Sequence, residues 1–292
     1  MERQCHYLTE DRARLHYRLT HRNGPADTAL VMLHGLASNL TRWSELVETL
    51  ELAPPWDLLR LDLRGHGDSR YRGRIGHEVW GRDLQGLLER CGYGRAVLLG
   101  HSLGAQLALH FAHHHPQHSA GLILIDPVLP ECLQGQLARV ARLRWLLPPL
   151  VRLLWVLNGL GLRRRRFESL DLQQLDREMR ERLRRESDAR VGDIYARPSL
   201  DLKRLPTANY LQDLYAVTSP LPALASIRVP TLVLLSKGVS LSNLAATRQR
   251  LAELPRVRIQ IIDTDHWMLT EKPVEARLAI QAWCNRLPNG PQ

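Results

Sequence analysis

Apolar positions along this chain follow two rhythms. Residues 29–33, 56–61, 96–99, 121–125, 231–235 and 257–262 are short stretches dominated by Leu, Val and Ile, with no helical spacing. Between them, residues 40–50, 78–90, 103–111, 243–254 and 274–283 carry apolar side chains three and four positions apart, as in Trp43, Leu46, Val47 and Leu50. Short continuous apolar runs predict strands buried on both faces, and the intervening pattern predicts helices. Such strands need cover on both sides, so the expectation is an α/β fold with a mostly parallel sheet between helical layers. Asn39 can cap the first of these helices and Pro54-Pro55 can stop it. Residues 6–8 and 15–19 predict an antiparallel edge hairpin ahead of the parallel strands.

The strand rhythm stops between Pro127 and about Leu224. That stretch is rich in Arg and Leu, helical in pattern, and broken by Pro148-Pro149, Asn158-Gly159, Pro198 and Pro206. The predicted organisation is therefore a core of residues 1–126 and 225–292, with residues 127–224 inserted as a helical lid. A chain of 292 residues can bury one large core, and no internal repeat interrupts it.

Charge sharpens this division. Net charge is +10, yet residues 139–197 alone hold 15 Arg against 8 Asp or Glu. A basic excess is compatible with nucleic acid, lipid or acidic ligands. The run Arg163–Arg166 lacks the aromatic interleaving of a nucleic-acid site, so no nucleic-acid partner is expected. Residues 145–162 are mostly Leu, Val and Trp, but Pro148-Pro149 and Arg152 argue against a membrane span. The simpler reading packs these apolar residues on the core and leaves the arginines as a solvated rim. The alternative lays this basic lid on an anionic lipid surface, a peripheral membrane contact, or uses it to steer an acidic acyl carrier. Residues 172–185 alternate acid and base and read as a solvated, ion-paired helix. Cys5, Cys91, Cys132 and Cys284 are scattered without metal spacing, and the first residues offer no apolar export segment. Both features lead to the expectation of a cytoplasmic protein.

Chemistry enters at Gly100-His101-Ser102-Leu103-Gly104, placed between an apolar run and a helical run. A sharp strand-to-helix turn exposes the serine hydroxyl, and the Leu103 N–H lies at a helix N-terminus where an oxyanion would develop. His34-Gly35 follows the strand at 29–33, so the Leu36 N–H is the second candidate oxyanion donor. Asp265-His266 follows the last predicted strand, and a histidine there can take the serine proton and return it.

These motifs, with Asp62-Leu63-Arg64-Gly65-His66-Gly67-Asp68-Ser69, resemble the α/β-hydrolase fold family in their usual order. The resemblance covers roughly residues 30–125 and 229–283. It implies a Ser–acid–His triad with Ser102 as nucleophile and His266 as base; the expected reaction runs through an acyl-serine intermediate and calls for no metal and no cofactor. It also implies a structural rather than catalytic role for Asp62, His66 and Asp68. One departure stands out. Val239 occupies the position after the next-to-last strand where the family often carries Asp. Some members place the acid after the strand that follows the elbow helix, and Asp126 stands there; Asp before Pro127 is also ordinary turn chemistry.

The histidines at 110, 113, 114, 115 and 118 imitate metal spacing, but a solvated helix end is the simpler reading. The expected function is hydrolysis of a carboxylic ester with an apolar acyl group. A thioesterase or acyltransferase on the same acyl-serine remains an alternative, as does a catalytically weak ligand-binding protein.

Overall fold

The computed structural model describes residues 2–21, 29–53, 56–186, 189–238 and 241–287. Pro54-Pro55 and Val239 lie outside the described residues. Eight strands form one sheet: β1 (Glu2–Leu8), β2 (Arg14–Thr20), β3 (Ala29–Leu33), β4 (Asp57–Leu61), β5 (Ala96–His101), β6 (Ser119–Ile125), β7 (Thr231–Ser236) and β8 (Val257–Ile262). Their order is β1-β2-β4-β3-β5-β6-β7-β8. The expected hairpin is present as the antiparallel pair β1–β2, and β2 also runs antiparallel to β4. All other pairs are parallel.

Alternation within the apolar runs explains why the central strands carry so few polar residues. Val31, Leu33, Leu98, Leu122, Leu124 and Val233 face one side, under the helices His77–Cys91 and Leu103–His114. Leu30, Met32, Val97, Leu99, Ile123 and Leu232 face the other, under Ser44–Thr49 and Pro273–Cys284. Burying each such side chain is worth about 1.5–3 kcal/mol relative to exposing it, so both helical layers are held by the same strands.

Two local expectations change. The single helix predicted after Asn39 is a 3-10 turn, Leu40–Trp43, leading into Ser44–Thr49. Asn39 does cap it, accepting from the Thr41 N–H at 2.9 Å, but Asp62 Oδ1 draws the Leu40 N–H to itself at 2.8 Å. The helix Leu172–Arg185 is not simply solvated. Its outer face carries the expected Arg182–Glu186 pair, whereas Leu172, Asp176 and Met179 are buried. Acid–base alternation signals an exposed face and says nothing about its reverse.

Between β6 and β7 the described residues form six α-helices: Gly135–Arg142, Leu147–Gly159, Leu172–Arg185, Gly192–Tyr195, Pro198–Arg204 and Thr207–Val217. Leu147–Gly159 packs on Thr207–Val217 through Leu147 and Val151. The expected packing of its apolar residues on the core is only half met. A helix offers one stripe to its neighbour, and the surplus (Leu150, Leu153, Val156) faces solvent. No helix among the described residues is long and apolar enough to cross a membrane.

Candidate active site

β5 ends in the elbow. Ser102 adopts φ 54° and ψ −114°, a conformation that costs a side-chain-bearing residue about 1–3 kcal/mol. The strain is held in place. The Ser102 N–H donates to Ile125 O at 3.0 Å, and its carbonyl accepts from Ala105 N–H at 3.0 Å and Gln106 N–H at 3.2 Å. Two glycines make the crossing feasible. A Cβ on Gly104 would lie 2.0 Å from Leu33 O, and one on Gly100 would lie 2.3 Å from Gly104 O. Any larger residue would push the elbow helix off β3 and β5.

Leu103 is the first residue of the elbow helix, so its N–H has no partner within that helix. Leu36 lies in the turn after β3, beside Ala37 at φ 51°, and both Leu36 and Ala37 border the cavity that Ser102 and His266 share. That cavity measures about 610 Å³. Its walls combine apolar residues of the inserted segment (Leu137, Val140, Leu172, Leu214, Val217) with Arg42, Asp201 and Arg204.

His266 follows β8. Its Nδ1 lies 2.5 Å from Asp126 Oδ2, and both side chains are almost wholly buried. Asp126 itself sits at φ 42°, directly after β6, where its N–H donates to Leu234 O at 2.8 Å. The other carboxylate oxygen accepts from the Ser236 N–H at 3.0 Å and the Ser236 hydroxyl at 2.9 Å, both at the end of β7. Burial pushes the Asp126 carboxyl up, but the His266 contact and the Ser236 donors outweigh it and hold the group below the ordinary carboxylate value. Asp126 is therefore anionic and oriented. The structure thus brings Ser102, His266, Asp126 and Leu36 to one region of the sheet's carboxyl edge, with the Leu103 amide beside the serine.

Several neighbours escaped sequence reasoning. His101 Nε2 donates to the His266 carbonyl at 3.0 Å; burial and the nearby His266 push His101 down to about 3, so the ring is neutral and anchors the backbone. Its signal was the variable residue within the elbow motif. Ser236 gave only the sign that a polar residue ends β7. Arg42, buried at the cavity wall, donates to both Asp176 oxygens at 2.7 and 2.8 Å and to Thr270 at 3.0 Å. It joins the inserted helix to the segment after His266, a link across the sequence that no local pattern announces.

The remaining histidine and aspartate motifs do other work. Asp62 accepts from the His16 ring at 2.8 Å and from the Asp68 N–H at 3.0 Å, besides Leu40. His16, Asp62 and Asp68 lie close enough to share an ion, yet both Asp62 oxygens already hold hydrogen bonds, so the set suits loop-building. His66 Nε2 lies 2.8 Å from Asp213. The His110 cluster disperses: His113 meets Ser226, His114 the His110 carbonyl, and His118 the Gly94 carbonyl. Burial and the neighbouring histidines push His110 down to about 4, and it stacks on His77 at 4.2 Å.

The chain is similar to several known proteins. An sn-1-specific diacylglycerol lipase of Mus musculus is 35% identical over 98 residues, 34% of this chain and 32% of the relative. The lipase LipV of Mycobacterium tuberculosis is 33% identical over 109 residues, 37% of this chain and 41% of the relative. The matched stretches thus span well under half of these relatives' own length. An α/β hydrolase enzyme from a Medee basin deep-sea metagenome superimposes with a TM-score of 0.69 at 17% identity, over 99% of this chain and 100% of that one. The family model for the alpha/beta hydrolase fold matches residues 28–273. With that match over most of its length, and the sheet order and elbow described above, the chain belongs to the α/β hydrolase fold family.

Proposed function

We propose that the protein is a serine hydrolase that cleaves carboxylic esters with an apolar acyl group. The carrying observation is the oriented Asp126–His266 pair bordering the same apolar cavity as Ser102. Ser102 Oγ attacks the ester carbonyl while His266 Nε2 takes its proton, and Asp126 favours the imidazolium that forms. The Leu36 and Leu103 amides receive the oxyanion, a contribution of about 3–4 kcal/mol per donor in related chemistry. The tetrahedral adduct collapses as His266 returns the proton to the leaving alcohol. His266 then deprotonates water, whose oxygen displaces the acyl group from Ser102 and regenerates the hydroxyl. Water is the sole co-substrate, so the cycle needs no cofactor. Residues 127–224 act as the lid, their apolar side chains forming the acyl wall. A cavity of about 610 Å³ falls in the range of small-molecule sites.

The test is turnover of p-nitrophenyl esters of increasing acyl length by the wild type and by Ser102→Ala, with matched thioesters in parallel. Hydrolysis that peaks at an intermediate length and vanishes in Ser102→Ala is the expected result. An inert wild type would overturn the reading, and a strong thioester preference would move the substrate class to carrier-bound acyl groups.

A further inference from the structure

Of the twelve large apolar side chains exposed among the described residues, seven fall between positions 143 and 162: Leu143, Trp145, Leu150, Leu153, Val156, Leu160 and Leu162. Exposure runs from 46% at Leu150 to 73% at Leu160. Leu150, Leu153, Val156 and Leu160 are spaced three and four apart, so they line one side of the helix Leu147–Gly159 and its end. Leu147 and Val151, on the reverse, are buried. Leaving this much apolar surface in contiguous array opposes solubility unless a partner covers it.

Charge identifies the partner. No Asp or Glu occurs between Glu131 and Glu168, while the same stretch contains Arg139, Arg142, Arg144, Arg152 and Arg163–Arg166. On the helix Leu172–Arg185, by contrast, several arginines are matched: Arg180 with Glu45, Arg182 with Glu186, Arg185 with Glu181. A second copy of this chain would bring arginine against arginine. An anionic lipid surface would satisfy both features, since apolar side chains enter the acyl boundary while the guanidinium groups meet phosphates. Firm attachment to a bilayer takes two such signals, apolar insertion and a basic cluster, and here they are adjacent in sequence. With no helix able to span a bilayer among the described residues, the segment would lie along the surface.

We propose that residues 143–166 dock the protein on anionic phospholipid membranes, with the helix Leu147–Gly159 in the plane of the interface. The docking side is the outside of the layer whose inside lines the cavity. Leu147–Gly159 packs on Thr207–Val217, which supplies Leu214 and Val217 to the acyl wall. Docking would therefore set the cavity against the source of apolar esters. The inference concerns binding and does not depend on ester hydrolysis.

The experiment is sedimentation of the full chain with phosphatidylcholine vesicles, with and without phosphatidylserine, read without turnover. Two variants accompany the wild type: Trp145→Ser/Leu153→Ser/Val156→Ser, and Arg163→Gln/Arg165→Gln/Arg166→Gln. Arg164 is kept because its guanidinium donates to the Leu202 carbonyl at 2.7 Å. The wild type should pellet with phosphatidylserine vesicles and weakly with phosphatidylcholine alone. Losing three cations near the surface should weaken binding on the order of 100-fold. The apolar variant should weaken it more than about tenfold. Both variants should keep the wild-type thermal melt, which shows that they fold. Absence of vesicle binding, equal binding to both vesicle types, or unchanged binding by the apolar variant would overturn the proposal. So would a wild-type dimer in sedimentation velocity that the apolar variant abolishes, which would assign the face to self-association.

Discussion

Asp126→Asn tests the chemistry most sharply, because the surrounding hydrogen bonds dictate how the amide must sit. In the wild type, one carboxylate oxygen takes two donors from Ser236 and the other faces His266 Nδ1 at 2.5 Å. The backbone N–H of Ser236 cannot reverse its role. The Asn carbonyl must therefore occupy the Ser236 side, which turns its NH₂ toward His266. Nδ1 then becomes an acceptor and the single ring proton moves to Nε2, the nitrogen that has to take the proton from Ser102. Catalysis in the wrong tautomer, without a charge to favour the imidazolium, costs about 10⁴-fold in kcat in a serine hydrolase with the same logic. That corresponds to about 5.5 kcal/mol of barrier. Folding should suffer much less, because the Ser236 bonds survive and one charge-assisted hydrogen bond, worth about 1.5–3 kcal/mol, is lost. The assay is steady-state hydrolysis of the best p-nitrophenyl ester, with thermal melts as the fold control. A kcat within about tenfold of wild type, on a folded variant, would refute the reasoning and require another group to orient His266.

Asp201 lines the cavity, and burial pushes it up to about 7, with Arg204 pulling it down and Asp213 adding to the rise. Because its folded value lies above the ordinary 3.8, its contribution to stability is complete below that value and is lost as pH climbs through about 7. Asp201→Asn should flatten the decline in Tm between acid and mildly alkaline pH. It should also remove a rise in KM for apolar esters above neutrality, where a carboxylate enters the acyl wall; an identical pH profile in the variant would count against this. Asp176→Ala should leave Arg42 buried without its anion and cost about 3–5 kcal/mol, read by denaturant melts. Arg42→Met/Asp176→Leu should recover most of that loss, and a double variant as unstable as Asp176→Ala would show that the loss is not electrostatic.

How much of this was legible beforehand follows from which interactions are local. The strands at 96–99 and 121–125 announce themselves because both their faces are covered by helices, leaving no polar position to break the run. The elbow is legible because close crossing of β3, β5 and the helix demands glycine at 100 and 104. His266 and Asp126 were nominated through family order, and the structure places them in contact. The partner of Asp126 is Ser236, however, and the anchor of His266 is His101; both depend on which strands are neighbours in the sheet. Asp176 was hidden by alternating charge on its own helix, since pairing with Arg42 is decided by tertiary packing. For residues 145–162 hydropathy alone leaves core packing and a lipid-facing surface both open, and a single helical stripe buries only Leu147 and Val151.

Delivering the carboxylate from β6 has a consequence for how this scaffold can diversify. Asp126 takes backbone and side-chain anchors from Leu234 and Ser236, both within β7, so the position of its charge is tied to the pairing of β6 with β7, ahead of the loop that follows. That loop still reaches the cavity, through Leu241. Its first residues are also tied to the segment that carries His266, because the Gly238 N–H donates to the Thr264 carbonyl at 2.9 Å and a Cβ on Gly238 would lie 2.3 Å from Asp265 Oδ1. For directed evolution of substrate range, Leu241 is the place to start, since it borders the cavity, with Ser236 and Gly238 held fixed so that the proton relay keeps its geometry.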